Sequence, residues 1–461
     1  MQTKQPKNQQ QLAFTDESRS EAPMATDKGV EGRATSCATE SLDENARLME
    51  DICREANVKE AAKRVIANKG SAGIDGMSVD ELLQYLKANW PRMRQELLEG
   101  RYKPQPVKRV EIPKPTGGTR KLGIPTVIDR FIQQAVLQIL QKEWDKTFSR
   151  NSYGFRPGRN AHQAVAKAQE HIQQGYGWVV DIDLEKFFDR VNHDMLIERV
   201  SRRVKDKRVI KLIRAYLNAG VLEGGLVKSV DEGTPQGGPL SPLLSNLFLD
   251  ELDKELERRE HRFVRYADDC NIYVRSRRAG ERVMGNVTKF ITKKLKLKVN
   301  EKKSAVARPH ERKILGFSLF TWRGKVRRWL APQTVTRFKG KIRRMTLRIR
   351  GFNAAVIEKL TRYLRGWIGY FRHCQTPKLL LKLEQWMRRR IRATIWKQWK
   401  CGKVRFKELV GRGVGKDLAA QTAGSSHGSW RIAWSPAMTK AFPKAYFTSL
   451  GIPELAVRVQ Q

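Results

Sequence analysis

Hydrophobic positions recur at two spacings along the chain, and these spacings separate helical from strand-forming stretches. Between residues 48 and 99 large apolar residues lie three or four positions apart, which predicts two helices joined by the glycine-rich loop 70–76. Apolar and polar residues then alternate over Val107–Ile112, and the chain returns through Lys121–Pro125 after a Pro/Gly turn, which predicts a β-hairpin. Helical spacing resumes over residues 126–143.

Two later stretches predict strands that carry acids. Trp178–Leu184 is apolar apart from Asp181 and Asp183, which share a face because strand side chains alternate. The runs 262–266 and 270–274 predict a hairpin with two adjacent acids at its turn. Asp is common in turns, so a simple polar turn is one interpretation. The other is a divalent metal, since clustered carboxylates in apolar surroundings resist ionisation and hard cations prefer oxygen ligands.

A strongly basic helical module is predicted from Arg337 to Arg405. Its apolar residues have helical spacing, and its charges are 21 Lys or Arg against two acids. A solvated helix face usually mixes both signs. The excess of one sign therefore favours nucleic-acid binding over an ordinary charged surface.

Composition extends this conclusion to the whole chain. The formal net charge is +42, which indicates a polyanionic partner, and the 11 Trp offer surfaces on which bases can stack. An anionic membrane surface is the alternative, but it favours one basic amphipathic helix, whereas the charge here is spread along the chain. The five Cys are isolated, and there is no apolar run near 18 residues, so we expect no membrane association and a cytoplasmic location.

Two more stretches suggest nucleotide binding. The turn of the first hairpin carries Lys114 and Arg120, which are suitable donors to triphosphate oxygens, although a solvated basic turn is equally compatible. The stretch 233–251 begins as a Gly/Pro-rich loop and leads into a helix, so that Gln236 and its glycine neighbours allow close approach of a nucleotide.

Taken in order, these motifs resemble the reverse transcriptases encoded within bacterial group II introns, which are also maturases. The resemblance covers about residues 50–450 and rests on the basic hairpin and on the blocks Asp183–Asp189, Thr234–Pro242, Tyr266–Asp269, Asn300–Ser304 and Leu315–Phe317. Tyr363–Arg372 and the helix 386–399 also resemble that family's thumb, which retron and diversity-generating reverse transcriptases do not share. Many relatives carry a C-terminal nuclease module with two Cys pairs. None is found here, so the resemblance is to the compact class and second-strand nicking is in doubt.

The resemblance implies an α+β fold, a right-hand polymerase with fingers and a palm built on an antiparallel sheet, followed by an all-α basic thumb. The implied organisation is a loosely ordered tail, an N-terminal helical extension, fingers and palm, thumb, and a short nucleic-acid-binding extension, at 1–45, 46–100, 101–325, 326–405 and 406–461.

The resemblance also implies residue roles. Asp183 and Asp268 would ligate two Mg²⁺ ions, with Asp269 alongside and the Leu184 backbone carbonyl as a further ligand, while Asp181 would be structural. Residues implied to bind the nucleotide are Lys114, Arg120, Phe188 (against the sugar, excluding a 2′-hydroxyl), Gln236, Gly237 and Lys303. Residues implied to bind nucleic acid are Arg343, Arg344, Arg348, Arg365, Arg388, Arg389, Arg392 and Lys397.

The implied function is RNA-directed DNA synthesis by a protein that also binds its group II intron RNA, assists splicing and copies the intron into DNA during retrohoming. The implied partners are intron RNA, an RNA template with a DNA primer, deoxynucleoside triphosphates and target DNA. The alternatives are a splicing-only maturase with an inactive polymerase, an RNA-templated RNA polymerase, or another bacterial reverse transcriptase. The intact acids argue against the first alternative, and Phe188 argues against the second.

Overall fold

The computed structural model describes residues 47–113, 118–223, 226–228, 233, 237–347 and 351–456. The predicted tail 1–45 and the candidate residues Lys114, Gln236 and Arg348 lie outside the described residues. These described residues belong to one compact unit.

The N-terminal region forms three helices where the sequence predicted two. Helix α1 (Leu48–Cys53) ends because Arg54 has extended backbone angles (φ −61°, ψ 136°), and α2 (Glu55–Ala67) begins directly after it. The glycine-rich loop then leads into α3 (Leu82–Leu98), as predicted. Helix α2 packs against the long helix α4 (Val127–Trp144). The predicted start and end of the helical region are therefore confirmed, and one extra break divides it.

A first four-stranded sheet carries the predicted basic hairpin. Strand β1 (Val107–Pro113) pairs antiparallel with β2 (Thr119–Ile124). On its other side β1 pairs parallel with β4 (Val221–Glu223), which pairs antiparallel with β5 (Leu226–Lys228). The strand order is β2-β1-β4-β5.

A second, fully antiparallel sheet has the order β6-β7-β3-β8. Its strands are β3 (Trp178–Ile182), β6 (Arg262–Tyr266), β7 (Asp269–Val274) and β8 (Ala305–Ala307). The helices that pack on it are α5 (Ala161–Gln173), α8 (Ser241–Arg258) and α9 (Arg277–Lys293), while α6 (His193–Ser201) and α7 (Lys207–Asn218) pack on each other. This sheet brings both acid-bearing segments of the sequence side by side.

A hairpin then leads into the basic helical module. Strand β9 (Phe317–Trp322) pairs with β10 (Lys325–Leu330). A strand was predicted from Ile314, but it begins at Phe317 because Leu315 and Gly316 have positive φ (49° and 88°) and turn the chain. The helices that follow are α10 (Pro332–Met345), α11 (Ala354–Phe371), α12 (Pro377–Gln398), α13 (Gly402–Gly411), α14 (Lys416–Ala423), α15 (Ser429–Ile432), α16 (Pro436–Ala441) and α17 (Lys444–Ser449).

One buried apolar cluster extends from the second sheet and α5 through the β9–β10 hairpin into α10–α17. The protein is thus a mixed helix-and-sheet molecule, in agreement with the predicted class. No helix in the described ranges combines the length and apolar character needed to cross a bilayer.

Candidate active site

The two adjacent acids predicted at a hairpin turn lie in a tight connection. Tyr266 pairs with Asp269, so Ala267 and Asp268 alone form the loop between β6 and β7. Ala267 has a positive φ of 57°. Two-residue hairpin loops require positive φ, which costs a residue with a side chain some conformational energy. The surrounding structure must therefore hold this turn in place.

The side chain of Arg265 supplies that support from beneath. It is 1% exposed, and its Nε and Nη2 atoms donate to the two carboxylate oxygens of Asp253 on α8 (2.7 and 2.6 Å). Its Nη1 atom donates to the carbonyl oxygen of Ala267 (2.9 Å) and to Oδ1 of Asn246 (3.0 Å). One planar, bidentate cation therefore joins α8 to the acidic turn.

A second contact closes on the turn from residues 151–154. The backbone N–H of Arg265 donates to the carbonyl of Asn151 (2.9 Å), and the backbone N–H of Tyr153 donates to the carbonyl of Arg265 (2.9 Å). Gly154 is pressed so closely on the turn that a Cβ there would lie 2.3 Å from the nitrogen of Ala267, and its carbonyl accepts from Nδ2 of Asn246 (2.9 Å). The turn is fixed on two sides by this network.

Sequence reasoning missed this network. One signal was present: Arg265 shares a strand face with Phe263, which is fully buried, and a buried cation without a partner is costly. The identity of the partner was not readable, because Asn246 and Asp253 are separated from the turn by the rest of α8 and look like ordinary polar helix positions.

Strand β3 brings the third acid to the same edge. Its last pair with β7 is Ile182–Cys270, and continuing that register places Asp183 beside Asp269 and Leu184 beside Asp268. Neighbouring strands lie about 4.8 Å apart, so the acids from two distant parts of the sequence become neighbours. The N–H of Asp183 donates to Oγ of Ser304 (3.0 Å), which fixes the end of the strand.

The Leu184 carbonyl is oriented by the segment that follows. Glu185 donates its N–H to the Lys298 carbonyl and Asn300 donates to the Asp183 carbonyl (both 2.8 Å), and Leu184 forms a bridge with Val299 between them. In such a non-hydrogen-bonded pair the residue's own N–H and C=O point away from the partner strand. The carbonyl of Leu184 is thus directed away from residues 298–300, to the side on which β7 lies.

The carboxyl groups repel one another electrostatically. Burial raises the pKa of Asp268, and the negative charge of Asp183 raises it further. Burial, and then the charges of Asp268, Asp181 and Asp183, raise the pKa of Asp269 to about 6. The Nζ atom of Lys303 lies 3.5 Å from Oδ1 of Asp183. The site favours additional positive charge.

The donor set fits a hard divalent cation in kind, since it consists of carboxylates and a backbone carbonyl whose charges are destabilised by burial and proximity. Its present geometry is more open. Among the described residues no three His, Cys, Asp or Glu side chains converge closely enough to hold an ion as they stand.

A cavity of about 350 Å³ adjoins the acids. Asp181, Asp183 and Asp269 line it on the sheet side, and the other walls carry the cations Lys302, Lys303, Arg312 and Lys313. Asp181 is already neutralised, because it accepts from Nε and Nη2 of Arg312 (2.9 and 2.5 Å) and from Nδ2 of Asn271 (2.9 Å). These contacts agree with a structural role for Asp181.

The candidate nucleotide-binding residues lie around this edge. Arg120 is exposed on β2, and its charge lowers the pKa of Asp268, against the larger effect of burial. Gly237 has φ 140°, and a Cβ there would lie 2.5 Å from the Gly123 carbonyl, so its chain segment lies against β2. Phe188 is half-buried and packs edge-on against Phe187 with ring centroids 5.2 Å apart.

The candidate nucleic-acid-binding residues of the basic module divide into two groups. The exposed group consists of Arg343, Arg344, Arg365 and Lys397. The other three described residues are engaged within the protein. Arg388 pairs with Glu384 (2.8 Å), Arg389 donates to the Trp430 carbonyl and stacks over its ring, and Arg392, only 6% exposed, donates to the Phe442 carbonyl. Arg389 and Arg392 connect α12 to the C-terminal segment, whereas the Arg388–Glu384 pair lies within α12 itself. The basic composition predicted neither arrangement.

Comparison with known proteins identifies two domains in this order. Residues 112–319 match the family Reverse transcriptase (RNA-dependent DNA polymerase), and residues 335–412 match the Group II intron, maturase-specific domain. A chain of a partial Cas6-RT-Cas1–Cas2 complex aligns with 53% of this chain and 42% of its own length, at 25% identity and a TM-score of 0.35.

Curated relatives match the same region. Protein YkfC of Escherichia coli (strain K12) is 38% identical over 232 residues, which are 49% of this chain and 61% of that protein. The group II intron-encoded protein LtrA of Lactococcus lactis subsp. cremoris is 37% identical over 224 residues, 48% of this chain and 37% of LtrA. The match thus spans less than two thirds of either relative. Over the aligned region this chain is homologous to LtrA, and it matches a reverse transcriptase domain followed by the group II intron maturase-specific domain.

Proposed function

We propose that the protein is an RNA-directed DNA polymerase of the right-hand type. The second sheet would be the palm, the first sheet would belong to the fingers, the N-terminal helices would form an extension before them, and helices α10–α12 would be the thumb. The observation that carries the proposal is the register of β3 and β7, which brings Asp183 beside the Asp268–Asp269 turn next to a cation-lined cavity. A scaffold that only binds RNA has no physical need for clustered acids.

Asp183, Asp268 and the Leu184 carbonyl would hold two Mg²⁺ ions, with Asp269 alongside. When bound, the ions supply activation of the primer 3′-hydroxyl and neutralisation of the leaving pyrophosphate. The protein's own contribution is to hold the carboxylates in place through the Arg265 network. Arg120 and Lys303, which already act on the charges of these acids, would contact the triphosphate oxygens.

The remaining nucleotide contacts follow from the same placement. Phe188 would lie against the sugar and exclude a 2′-hydroxyl, and Gly237 would let the backbone approach the nucleotide. Lys114 and Gln236, outside the described residues, are proposed for the triphosphate and the nucleotide pocket on sequence grounds alone.

The maturase-specific domain supports intron RNA as the second partner. We propose that the exposed cations of α10–α12 contact its backbone and assist splicing, and that the protein copies the intron into DNA at a target site during retrohoming. Phosphate contacts position a nucleic acid without reading its sequence, so these residues provide affinity more than specificity.

Primer extension tests the polymerase. Purified wild-type protein with an RNA template, an annealed DNA primer, deoxynucleotides and Mg²⁺ is expected to extend the primer, and Asp268→Ala is expected to abolish extension. Asp181→Asn serves as the matched control, because Asp181 is already paired with Arg312. Equal extension by wild type and Asp268→Ala would overturn the proposal.

A splicing-only maturase is the second candidate. It is favoured by one observation: residues 335–412 match the Group II intron, maturase-specific domain. Under that function neither the wild type nor the variants extend a primer, while all of them promote splicing of the intron RNA. Splicing that persists in Asp268→Asn alongside active wild-type extension would instead show that the two activities use separate surfaces.

A further inference from the structure

The outward face of the β9–β10 hairpin combines exposed aromatic rings with cations. The strand register places six side chains on this face as the pairs Ser318–Trp329, Phe320–Arg327 and Trp322–Lys325. Trp322 is 56% exposed and Trp329 is 42% exposed, while Phe320 is half-buried and contacts the ring of Trp329 at 5.0 Å. We call Phe320, Trp322, Trp329, Lys325 and Arg327 the hairpin platform.

Burial of the opposite face of the hairpin is enough to stabilise its two strands. The exposed aromatic residues of the platform are therefore not needed for folding. Phe317, Leu319, Val326 and Leu330 are buried and belong to the main apolar cluster. Burying one face of a two-stranded sheet suffices to hold it, and its other face is normally polar. Two Trp in such positions expose large apolar area without contributing to the core.

The charges on the hairpin are of one sign. Residues 317–330 contain four cations and no acid. Lys325 and Arg327 form no ion pair within the part of the chain that the structure describes. A surface built only for solubility would mix both signs.

The platform adjoins the candidate active site. At its inner end Ser318 donates to the carbonyl of Arg312 (3.1 Å), and Arg312 pairs with Asp181 at the wall of the cavity. From Ser318 the strand extends outward to Trp322 over about 13 Å. A nucleic-acid strand in the cavity can thus continue onto the platform.

We propose that the hairpin platform binds an unpaired stretch of RNA, whose bases stack on Trp322 and Trp329 and whose phosphates contact Lys325 and Arg327. Aromatic rings flanked by cations are the usual means of binding single strands without reading sequence, because every base has a stacking face. Duplex RNA hides those faces. The inference deepens the proposed RNA binding and rests on it only for the choice of RNA as the ligand.

The test measures binding of a short, labelled oligouridylate to the full chain by fluorescence anisotropy at fixed salt. The double variant Trp322→Ala/Trp329→Ala is expected to weaken binding at least about tenfold. The double variant with Phe at both positions should regain most of the affinity, since a phenyl ring still stacks. Leu83→Ala is the control, because Leu83 is another large apolar side chain exposed on the surface (37%) but lies on α3.

Three results would overturn the proposal. The first is unchanged oligouridylate affinity in the double Ala variant, and the second is an equal loss in the Leu83 control. The third is a loss seen with oligothymidylate but not with oligouridylate, which would reassign the face to DNA. Blunt RNA duplex binding should change little in all variants. The assay needs neither metal nor nucleotide, so it remains decisive even if the chain fails to extend a primer.

Discussion

Replacing Arg265 separates the positioning of the acidic turn from the stability of the fold. In Arg265→Met the carboxylate of Asp253, which is 0% exposed, loses both of its guanidinium donors. Leaving one partner of a buried ion pair uncompensated costs about 3–5 kcal/mol. Denaturant unfolding of the variant should show a loss of at least this size.

The second variant removes the stranded charge. Asp253→Leu combined with Arg265→Met replaces the pair by apolar groups, which is often nearly neutral for stability. Here Asn246 and the Ala267 carbonyl also lose a donor, at about 1–3 kcal/mol for each group left unsatisfied. The double variant should therefore regain about 3–5 kcal/mol relative to Arg265→Met and remain about 2–6 kcal/mol below wild type.

Catalysis should not recover with stability. The double variant still lacks the bond from the guanidinium to the Ala267 carbonyl, so the turn that carries Asp268 is free to shift. A displacement of about 1 Å in a catalytic group costs about 100-fold in rate. Single-turnover primer extension should show that fall in the rate constant of nucleotide addition, with little change in the nucleotide Kd. Arg265→Lys should not restore the rate, because an ammonium cannot make the same planar set of bonds.

If the double variant folds stably and adds nucleotides at the wild-type rate, Arg265 does not position the acidic turn. In that case Arg265 would serve the fold alone, and the turn geometry would be set by Gly154 and the strand register.

Four further outcomes follow from the geometry. Without divalent metal, Asp269→Asn should raise the melting temperature at about pH 8 and leave it unchanged near pH 4, because a pKa raised from 3.8 to about 6 contributes stability that is lost as pH rises through 6. Phe188→Ala should lower the preference for deoxynucleotides over ribonucleotides about 10–100-fold, as measured by competing kcat/KM values. Arg343→Ala/Arg344→Ala should weaken RNA binding and reduce the slope of log affinity against log salt by about 0.7–0.9 per lost contact. Arg392→Ala should instead lower the unfolding free energy by about 1–3 kcal/mol and leave that slope unchanged, because its donors go to the Phe442 carbonyl.

The elements that position the acids were readable from the sequence because each is specified locally. Alternation over 262–274 predicted the β6–β7 hairpin and its turn, and the apolar run at 178–184 predicted β3. What no local pattern contains is the pairing of β3 with β7, which brings Asp183 beside Asp269. Strand β10 was not predicted from the sequence, because Lys325–Leu330 carries three cations and only two of its residues are buried.

Basic charge predicted the nucleic-acid-binding residues less reliably than the hydrophobic pattern predicted the strands. Arg265, Arg389 and Arg392 are all basic, yet their guanidinium groups bond to carboxylates or carbonyls within the protein. A helix pattern shows which residues are apolar, but not which polar face a later segment will cover. For α12 that segment is the C-terminal group of helices, whose contacts are long-range.

We propose that Asp183 and Asp268 together hold divalent ions at the edge of the second sheet. Electron paramagnetic resonance of Mn²⁺, titrated into the protein with a chain-terminated template–primer and a deoxynucleotide, counts bound ions directly. We predict two tightly bound ions in wild type and in Asp181→Asn, and the loss of at least one in both Asp183→Asn and Asp268→Asn. Wild-type ion binding in either of the latter variants would contradict the account.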